Sequence, residues 1–247
     1  MELLAAYAPV QIAAALIASF GSAFVRGLTG FGMAILLVPI LALALSPLEA
    51  VLLANFLSLF IGLIEIRRLV RGAERSAWVI AALVVLFTPA GLLALSLTTP
   101  AIARLLIALI ALSAFVAVMV PRRSEAAPHP LTTGGVGIVS GLMTGYAGMP
   151  GPPVVPYYVG RGLARETAKA SMMLVFTIAG LSGLVSGAAM QVLDWRLGLL
   201  ALLLFPAVLL GNKLGDKASG RIADPVWRTL VGVILGAAAA AAVVRLL

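Results

Sequence analysis

Long apolar segments separated by short polar ones run through this chain. The apolar runs cover residues 10–25, 48–64, 78–97, 101–120, 197–210 and 231–244. A helix of about 20 apolar residues crosses the roughly 30 Å of hydrocarbon in a bilayer, and several of these runs approach that length. The pattern predicts an all-α integral membrane protein with about eight to ten helical segments.

Two stretches interrupt the helical pattern with glycine and proline. They read SAFVRGLTGFG at residues 22–32 and GLMTGYAGMPGPPVVP at residues 141–156. Within a helix, glycine costs about 1 kcal/mol and proline about 3 kcal/mol relative to alanine. Non-helical backbone is tolerated at membrane depth only inside protein or beside a water-filled cavity. We therefore predict broken helices here, and the short segments 31–45 and 149–160 that follow either cross the membrane or re-enter as hairpins.

The chain divides into two similar halves. A polar linker at residues 121–130, PRRSEAAPHP, separates an N-terminal transmembrane repeat at 1–120 from a C-terminal one at 131–247. Each half has a glycine cluster, a short proline-containing segment and then a small-residue helix that a glutamate opens. The alignment pairs Thr29-Gly30-Phe31 with Thr144-Gly145-Tyr146, Pro39 and Glu49 with Pro156 and Glu166, and Ala54-Asn55 with Ser171-Met172. This shared order predicts an internal duplication.

Charge indicates how the two halves are oriented. Only 11% of residues are charged, 62% are hydrophobic and the mean hydropathy is +1.16. The net charge of +8 comes from Lys and Arg concentrated near residues 67–75, 122–123, 161–169 and 213–228. Such residues collect in cytoplasmic loops, so we interpret the charge as topological and predict no nucleic-acid partner. If each basic loop is cytoplasmic, the second half is inverted relative to the first and both termini lie outside the cytoplasm.

The residues that catalysis or cofactor binding would require are scarce. The chain has no cysteine, and its single histidine, His129, lies in the linker. The three aspartates, Asp194, Asp216 and Asp224, fall in or beside loops, and nothing resembles a phosphate-binding P-loop. We therefore predict a protein that is not an enzyme and that needs no cofactor or metal.

Matching broken helices in inverted repeats indicate the binding site of a transporter. A broken helix exposes amides with partial positive charge, and glycine lets an anion approach that backbone. Arg26 adds a charge within a membrane segment, which marks a functional site unless it only anchors the helix at the surface. Small residues can also serve helix packing alone. The predicted substrate-binding residues are Arg26, Gly27, Thr29, Gly30, Phe31, Gly32, Asn55, Ser58, Thr144, Gly145, Tyr146, Gly148, Pro150, Gly151 and Ser171.

These motifs resemble the TauE/SafE sulfite exporter family. The residues that carry the resemblance are Gly27-Leu28-Thr29-Gly30-Phe31-Gly32 with Pro39, and 141–151 with Pro156. It extends over essentially the whole chain and implies a multi-pass transporter of the bacterial inner membrane, for sulfite, sulfonates or related anions. Where the family often has Thr-Ser on the third helix, this chain has Ala54-Asn55 and Ser171-Met172.

The sequence therefore favours a secondary transporter that works by alternating access. We expect its substrate to be a small anion, sulfite or an organosulfonate such as sulfoacetate. An anion channel, or a transporter of another small organic anion, is the alternative, because a broken-helix pore uses the same physics. Its partners are the anion, membrane lipid and, if transport is coupled, a proton or sodium ion. The sequence indicates no particular oligomeric state.

Overall fold

The computed structural model describes residues 8–119 and 129–218, together with positions 233 and 244. This part of the chain contains nine helices and no strand, as predicted. The helices are α1 Pro9–Thr29, α2 Met33–Ala44, α3 Pro47–Gly72, α4 Arg75–Leu97, α5 Pro100–Met119, α6 Pro130–Ala147, α7 Gly151–Val159, α8 Arg165–Ala189 and α9 Trp195–Ala218. Five of them, α1, α3, α4, α8 and α9, are long and apolar enough to span a membrane. Most of the predicted linker and of the apolar run 231–244 lies outside the described residues, as do Arg122, Arg123 and Asp224.

Local sequence signals account for where several helices begin. Proline, which lacks the amide hydrogen that a first helical turn leaves unpaired, occupies the first position of α1, α3, α5 and α6. At α3, the Ser46 hydroxyl accepts from the Glu49 amide at 3.2 Å, and the Glu49 carboxylate accepts from the Ser46 amide at 2.9 Å. This reciprocal capping box fixes the start of α3 at the glutamate that the sequence placed there.

The two short helices return beside the helices that precede them. The Gln11 side chain at the start of α1 donates to the carbonyl oxygen of Ala44 at the end of α2, at 2.6 Å. The hydroxyls of Thr133, near the start of α6, and Tyr157, near the end of α7, lie 2.9 Å apart. At about 1.5 Å per residue, α2 and α7 are also too short to span the hydrocarbon. Both pairs are therefore helical hairpins, and the short α2 and α7 favour the re-entrant option, the second of the two that the sequence left open.

The hairpins enter from opposite ends of the helix bundle. Helix α2 leads directly into α3, whose far end contacts the start of α8 through an ion pair between Arg68 and Glu166. The end of α7 lies at that same far end, where Arg161 pairs with Glu74 at 2.7 Å. One hairpin thus opens where α3 begins and the other where α3 ends. This arrangement is consistent with the predicted inverted repeat.

The basic loops meet at one end of the bundle, which the positive-inside rule assigns to the cytoplasm. Ion pairs connect the end of α3 and the loop after it with the segments before and within α8, and Lys169 of α8 lies 3.9 Å from Asp216 of α9. This common location is consistent with the topology that the charge distribution predicted. Arg221 and Arg228 lie outside the described residues.

The structure moves the alignment of the second glycine cluster by three residues. Helix α6 continues through Thr144, Gly145 and Tyr146, and its left-handed C-cap is Gly148, with φ of 65°. The corresponding C-cap of α1 is Gly30, with φ of 85°. The pairing of Thr29-Gly30-Phe31 with Thr144-Gly145-Tyr146 is therefore wrong, because the second break begins after Ala147. Gly30 and Gly148 are the same number of residues apart as Pro47 and Arg165, the first residues of α3 and α8.

Each half completes the packing of the other half. Helix α1 lies against α9, α6 lies against α4, and α3 crosses α8. Glycine permits close approach at these crossings: a Cβ at Gly27 would collide with the backbone of α9, and one at Gly145 with the backbone of α4. Gly180 and Gly183 likewise face Asn55 of α3. The glycines of α8 thus serve close helix packing.

Candidate functional site

The two hairpin turns meet at a small cavity between α3 and α8, which we call the inner cavity. Its volume is about 40 Å³, room for roughly three water-sized groups. Six of the predicted binding residues line it: Arg26, Phe31, Gly32, Ser58, Pro150 and Gly151. The structure therefore brings residues of both glycine clusters to one cavity.

The start of α2 faces the inner cavity with its unpaired amides. Gly32, with φ of 93°, is the N-cap, and Met33, Ala34 and Ile35 form the first turn. The first amide of α2 with an intrahelical partner is that of Leu36, which donates to the carbonyl oxygen of Gly32 at 3.3 Å. The three preceding amides have no acceptor within the helix. They carry the partial positive charge of the helix terminus, which favours an anion.

The start of α7 contributes much less hydrogen-bonding capacity. Pro150 is its N-cap, and Pro152 and Pro153 follow Gly151. Because proline has no amide hydrogen, Gly151 supplies the only free N–H of this first turn. The two halves therefore contribute unequal numbers of hydrogen-bond donors, three free amides from α2 and one from α7.

Arg26 is the charged residue of the inner cavity. Its side chain comes from the last turn of α1, and the residue is 7% exposed. One guanidinium nitrogen, Nη1, donates to Oδ1 of Asn212 on α9 at 3.0 Å. Within the described part of the chain, Arg26 forms no ion pair at 4.0 Å or less. Arg26 is therefore a buried cation whose hydrogen-bond partner is a neutral amide, while the Glu65 carboxylate attracts it electrostatically without a close ion pair.

A larger cavity of about 630 Å³ opens from the inner cavity toward the basic end, and we call it the vestibule. Arg26 and Met173 line both spaces, so the two adjoin at these residues. The cations of the vestibule outnumber its carboxylates: Arg26, Arg67, Arg68, Lys169 and Lys213 against Glu65 and Asp216. Such an excess of one charge raises the local concentration of anions.

Lys169 and Asp216 stand between the vestibule and a third cavity. This cavity, of about 530 Å³, contacts the turn between α1 and α2 from its other side, and Gly27, Gly30, Lys169 and Asp216 line both spaces. The aliphatic part of Lys169 passes close to Gly30, 3.5 Å from where a Cβ would lie. The pair therefore forms a partition over the left-handed turn.

The hydroxyls of Thr29 and Ser171 form hydrogen bonds with backbone groups of their own helices and of adjacent turns or loops. The Thr29 hydroxyl donates to the carbonyl oxygen of Val25 at 2.9 Å and accepts from the Phe31 amide at 3.3 Å. Ser171 donates to the carbonyl oxygen of Thr167 at 2.7 Å and accepts from the Glu74 amide at 2.9 Å. These contacts stabilise the α1–α2 turn and the α3–α4 loop, and a direct role of either residue in binding stays a prediction.

Five other predicted residues, Asn55, Thr144, Gly145, Tyr146 and Gly148, do not line the three cavities described here. Thr144 donates to the carbonyl oxygen of Ser140 at 2.7 Å, and the Tyr146 hydroxyl donates to the Thr98 hydroxyl at 3.3 Å. Asn55 is 2% exposed at the crossing of α3 with α8, and its Nδ2 has no hydrogen-bond partner among the described residues. The structure gives these residues packing or capping environments, and their role in binding stays a prediction.

Other residues of the site were not among those that the sequence predicted. Asn212 orients Arg26 from the opposite half of the chain. Thr177 lines the inner cavity beside Ser58, and its hydroxyl donates to the carbonyl oxygen of Met173 at 2.8 Å. One sequence signal could have identified part of this set, because Met173, Phe176 and Thr177 share one face of α8 at helical spacing. For Asn212 the signal was an amide directly after Gly211, just beyond the apolar run 197–210.

Comparison with known families identifies one match. The family model described as Sulfite exporter TauE/SafE matches residues 14–242 of the 247. The matched range includes the second hairpin, most of the first, and the residues that line the inner cavity and the vestibule. Neither the curated proteins nor the solved structures give a significant match.

Proposed function

The chain belongs to the sulfite exporter TauE/SafE family of membrane transporters, and we propose that it moves a small sulfur oxyanion, sulfite or an organosulfonate, out of the cytoplasm. In this proposal the protein is a secondary transporter of the bacterial inner membrane that works by alternating access. Substrate enters through the vestibule, binds in the inner cavity and leaves on the opposite side.

The buried guanidinium of Arg26 is the observation that carries this proposal. It lines both the vestibule and the inner cavity, and a neutral amide is its hydrogen-bond partner. Removing a charge from water is costly unless a partner charge or strong hydrogen bonds compensate it. An anion between Arg26 and the amides of α2 provides that compensation, and in return it gains charge-assisted hydrogen bonds.

The hairpins suggest how access could alternate. One enters from each end of the bundle, and their turns meet at the inner cavity. In transporters built from inverted repeats, rocking of one repeat against the other exposes a central site to each side in turn. The Lys169–Asp216 pair lies above the turn of the first hairpin and is suited to separating as that hairpin moves.

Reconstituted flux tests the proposal directly. Purified protein in liposomes should accelerate sulfite or methanesulfonate flux, and the flux should saturate with concentration. Arg26→Gln should reduce it at least about 100-fold, since a charged hydrogen-bond partner in a buried site contributes about 1.5–3 kcal/mol and the charge itself is also lost. Arg26→Lys should retain part of the activity, because it keeps the charge but loses the fork of donors.

Arg71→Gln is the matched control. Arg71 is an exposed residue at the same basic end, and it lines none of the three cavities. Its replacement removes a cytoplasmic charge and should leave flux nearly unchanged. Equal flux in Arg26→Gln and Arg71→Gln would contradict the proposed site. Flux that rises linearly with concentration, with high unitary conductance, would indicate the anion channel instead.

A further inference from the structure

We propose that the inner cavity accepts anions with one negative charge and rejects those with two, which narrows the substrate class to bisulfite and small organic monosulfonates. This inference rests on the proposed function, because it assumes that the inner cavity is the substrate site. It disfavours sulfoacetate, which carries both a sulfonate and a carboxylate.

The lining of the inner cavity provides one positive charge to compensate the charge of a bound anion. Arg26 is the ionisable residue among those that line it, and the other polar side chains, Ser58 and Thr177, are neutral. The start of α2 adds amide dipoles without a full charge. A monoanion therefore makes the cavity electrically neutral, whereas a dianion leaves one negative charge uncompensated in a poorly solvated space.

The surrounding ionisable groups do not supply a second cation to the inner cavity. The charged residues near Arg26 belong to the vestibule and are Glu65, Arg67 and Arg68 on α3, Lys169 on α8, and Lys213 and Asp216 on α9. Arg68 lies 3.6 Å from Glu65 and also contacts Glu166. Lys169 lies 3.9 Å from Asp216. Both of these cations are thus already partly matched by carboxylates, whereas Arg67 and Lys213 line the vestibule and not the inner cavity.

The remaining wall is apolar and leaves little space. Phe31, Met33, Met149, Met173 and Phe176 line the cavity. Thioethers and aromatic rings offer no strong donor to a second charged group. A volume of about 40 Å³ favours the smallest anions over larger organosulfonates. Size and wall chemistry thus favour a compact anion with one polar and one apolar side.

Three anions of different charge test the inference in proteoliposomes. Methanesulfonate is a monoanion at every usable pH, sulfate is a dianion, and sulfite changes from bisulfite to the dianion near neutrality. We expect methanesulfonate flux to exceed sulfate flux at least about 100-fold, equivalent to about 2.7 kcal/mol. We also expect the ratio of sulfite flux to methanesulfonate flux to fall as the pH rises. Above neutrality this fall should approach about tenfold per pH unit, because the fraction of sulfite present as bisulfite decreases by that factor.

The outcomes separate the inference from the proposed function. If sulfate competes as well as methanesulfonate, or if the sulfite ratio does not change with pH, the monoanion inference is overturned while the transporter stands. If none of the three anions is transported or bound, the proposed function itself fails. Methanesulfonate serves as the internal reference for any effect of pH on the protein.

A substitution at Asn212 provides a second, independent measurement. Asn212→Asp places a carboxylate on the Arg26 guanidinium, at the position where the amide oxygen lies 3.0 Å away. That carboxylate would neutralise the single cation, so methanesulfonate affinity should fall at least about tenfold, whereas Asn212→Ser keeps a neutral partner and should lose less. Both variants are compared after size-exclusion chromatography shows monodisperse protein. Unchanged affinity in a monodisperse Asn212→Asp variant would refute the single-cation inference.

Discussion

Gly27→Ala should separate the packing role of a glycine from its role in the helix break. Gly27 lies one residue after Arg26, three before the left-handed Gly30, and belongs to the motif that resembles the family pattern. The structure places it inside α1 against α9, where an added Cβ would meet the carbonyl oxygen of Asn212 and lie 2.7 Å from the Asp216 amide nitrogen. These are backbone atoms, so no side-chain rotation can relieve the contact.

The magnitude follows from two opposing effects. Alanine in place of glycine favours a helix by about 1 kcal/mol. Overpacking costs about 1–3 kcal/mol, and we take about 3 because backbone must move against backbone. Gly27→Ala should therefore lower the free energy of unfolding by about 2 kcal/mol. Gly21→Ala, on the same helix with no atom within 4 Å of the added Cβ, should raise it by about 1 kcal/mol.

Equilibrium unfolding in mixed detergent micelles measures both variants against the parent protein. The expected gap of about 3 kcal/mol between two identical chemical changes on one helix isolates the contact with α9. Gly145→Ala, which would meet the Thr88 carbonyl oxygen of α4, should behave like Gly27→Ala. Equal stability of Gly27→Ala and Gly21→Ala would refute the close approach of α1 and α9.

Three further predictions concern the turn, the partition and the cytoplasmic end. Gly30→Ala should cost about 1–2 kcal/mol of stability, measured by thermal unfolding, because a Cβ is unfavourable at its φ of 85°. Asp216→Asn should release Lys169 and change the turnover of transport more than substrate affinity, and equal effects on both would exclude a gating role. Arg161→Gln should destabilise the protein by about 2 kcal/mol, because it removes two charge-assisted bonds to Glu74, at 2.7 and 2.8 Å. Burial lowers the pKa of Arg161, but the bonds to Glu74 raise it more, and the net shift is upward. A raised folded-state pKa means that this stabilisation is present below the unfolded value and disappears only in strong alkali, so the effect of Arg161→Gln should be constant between neutral and mildly alkaline pH.

The sequence alone determined the class of molecule and the order of its parts. Apolar run length, proline at helix starts and the positions of Lys and Arg are local properties, and they predicted the helices and the basic end. The glycine and proline clusters also predicted that both breaks lie inside the protein. Six of the predicted residues, from both clusters, line the inner cavity.

Only the tertiary structure decided which residues meet. The sequence could not distinguish Gly145, which lies with Gly137 and Gly141 on the face of α6 that packs against α4, from Gly148, which ends the helix. Both are glycines in one cluster, and the choice depends on how closely a neighbouring helix approaches. The pairing of Arg26 with Asn212 likewise joins residues far apart in sequence. Helix formation depends on nearby residues, but lateral packing depends on side chains that meet only after the two halves interlock.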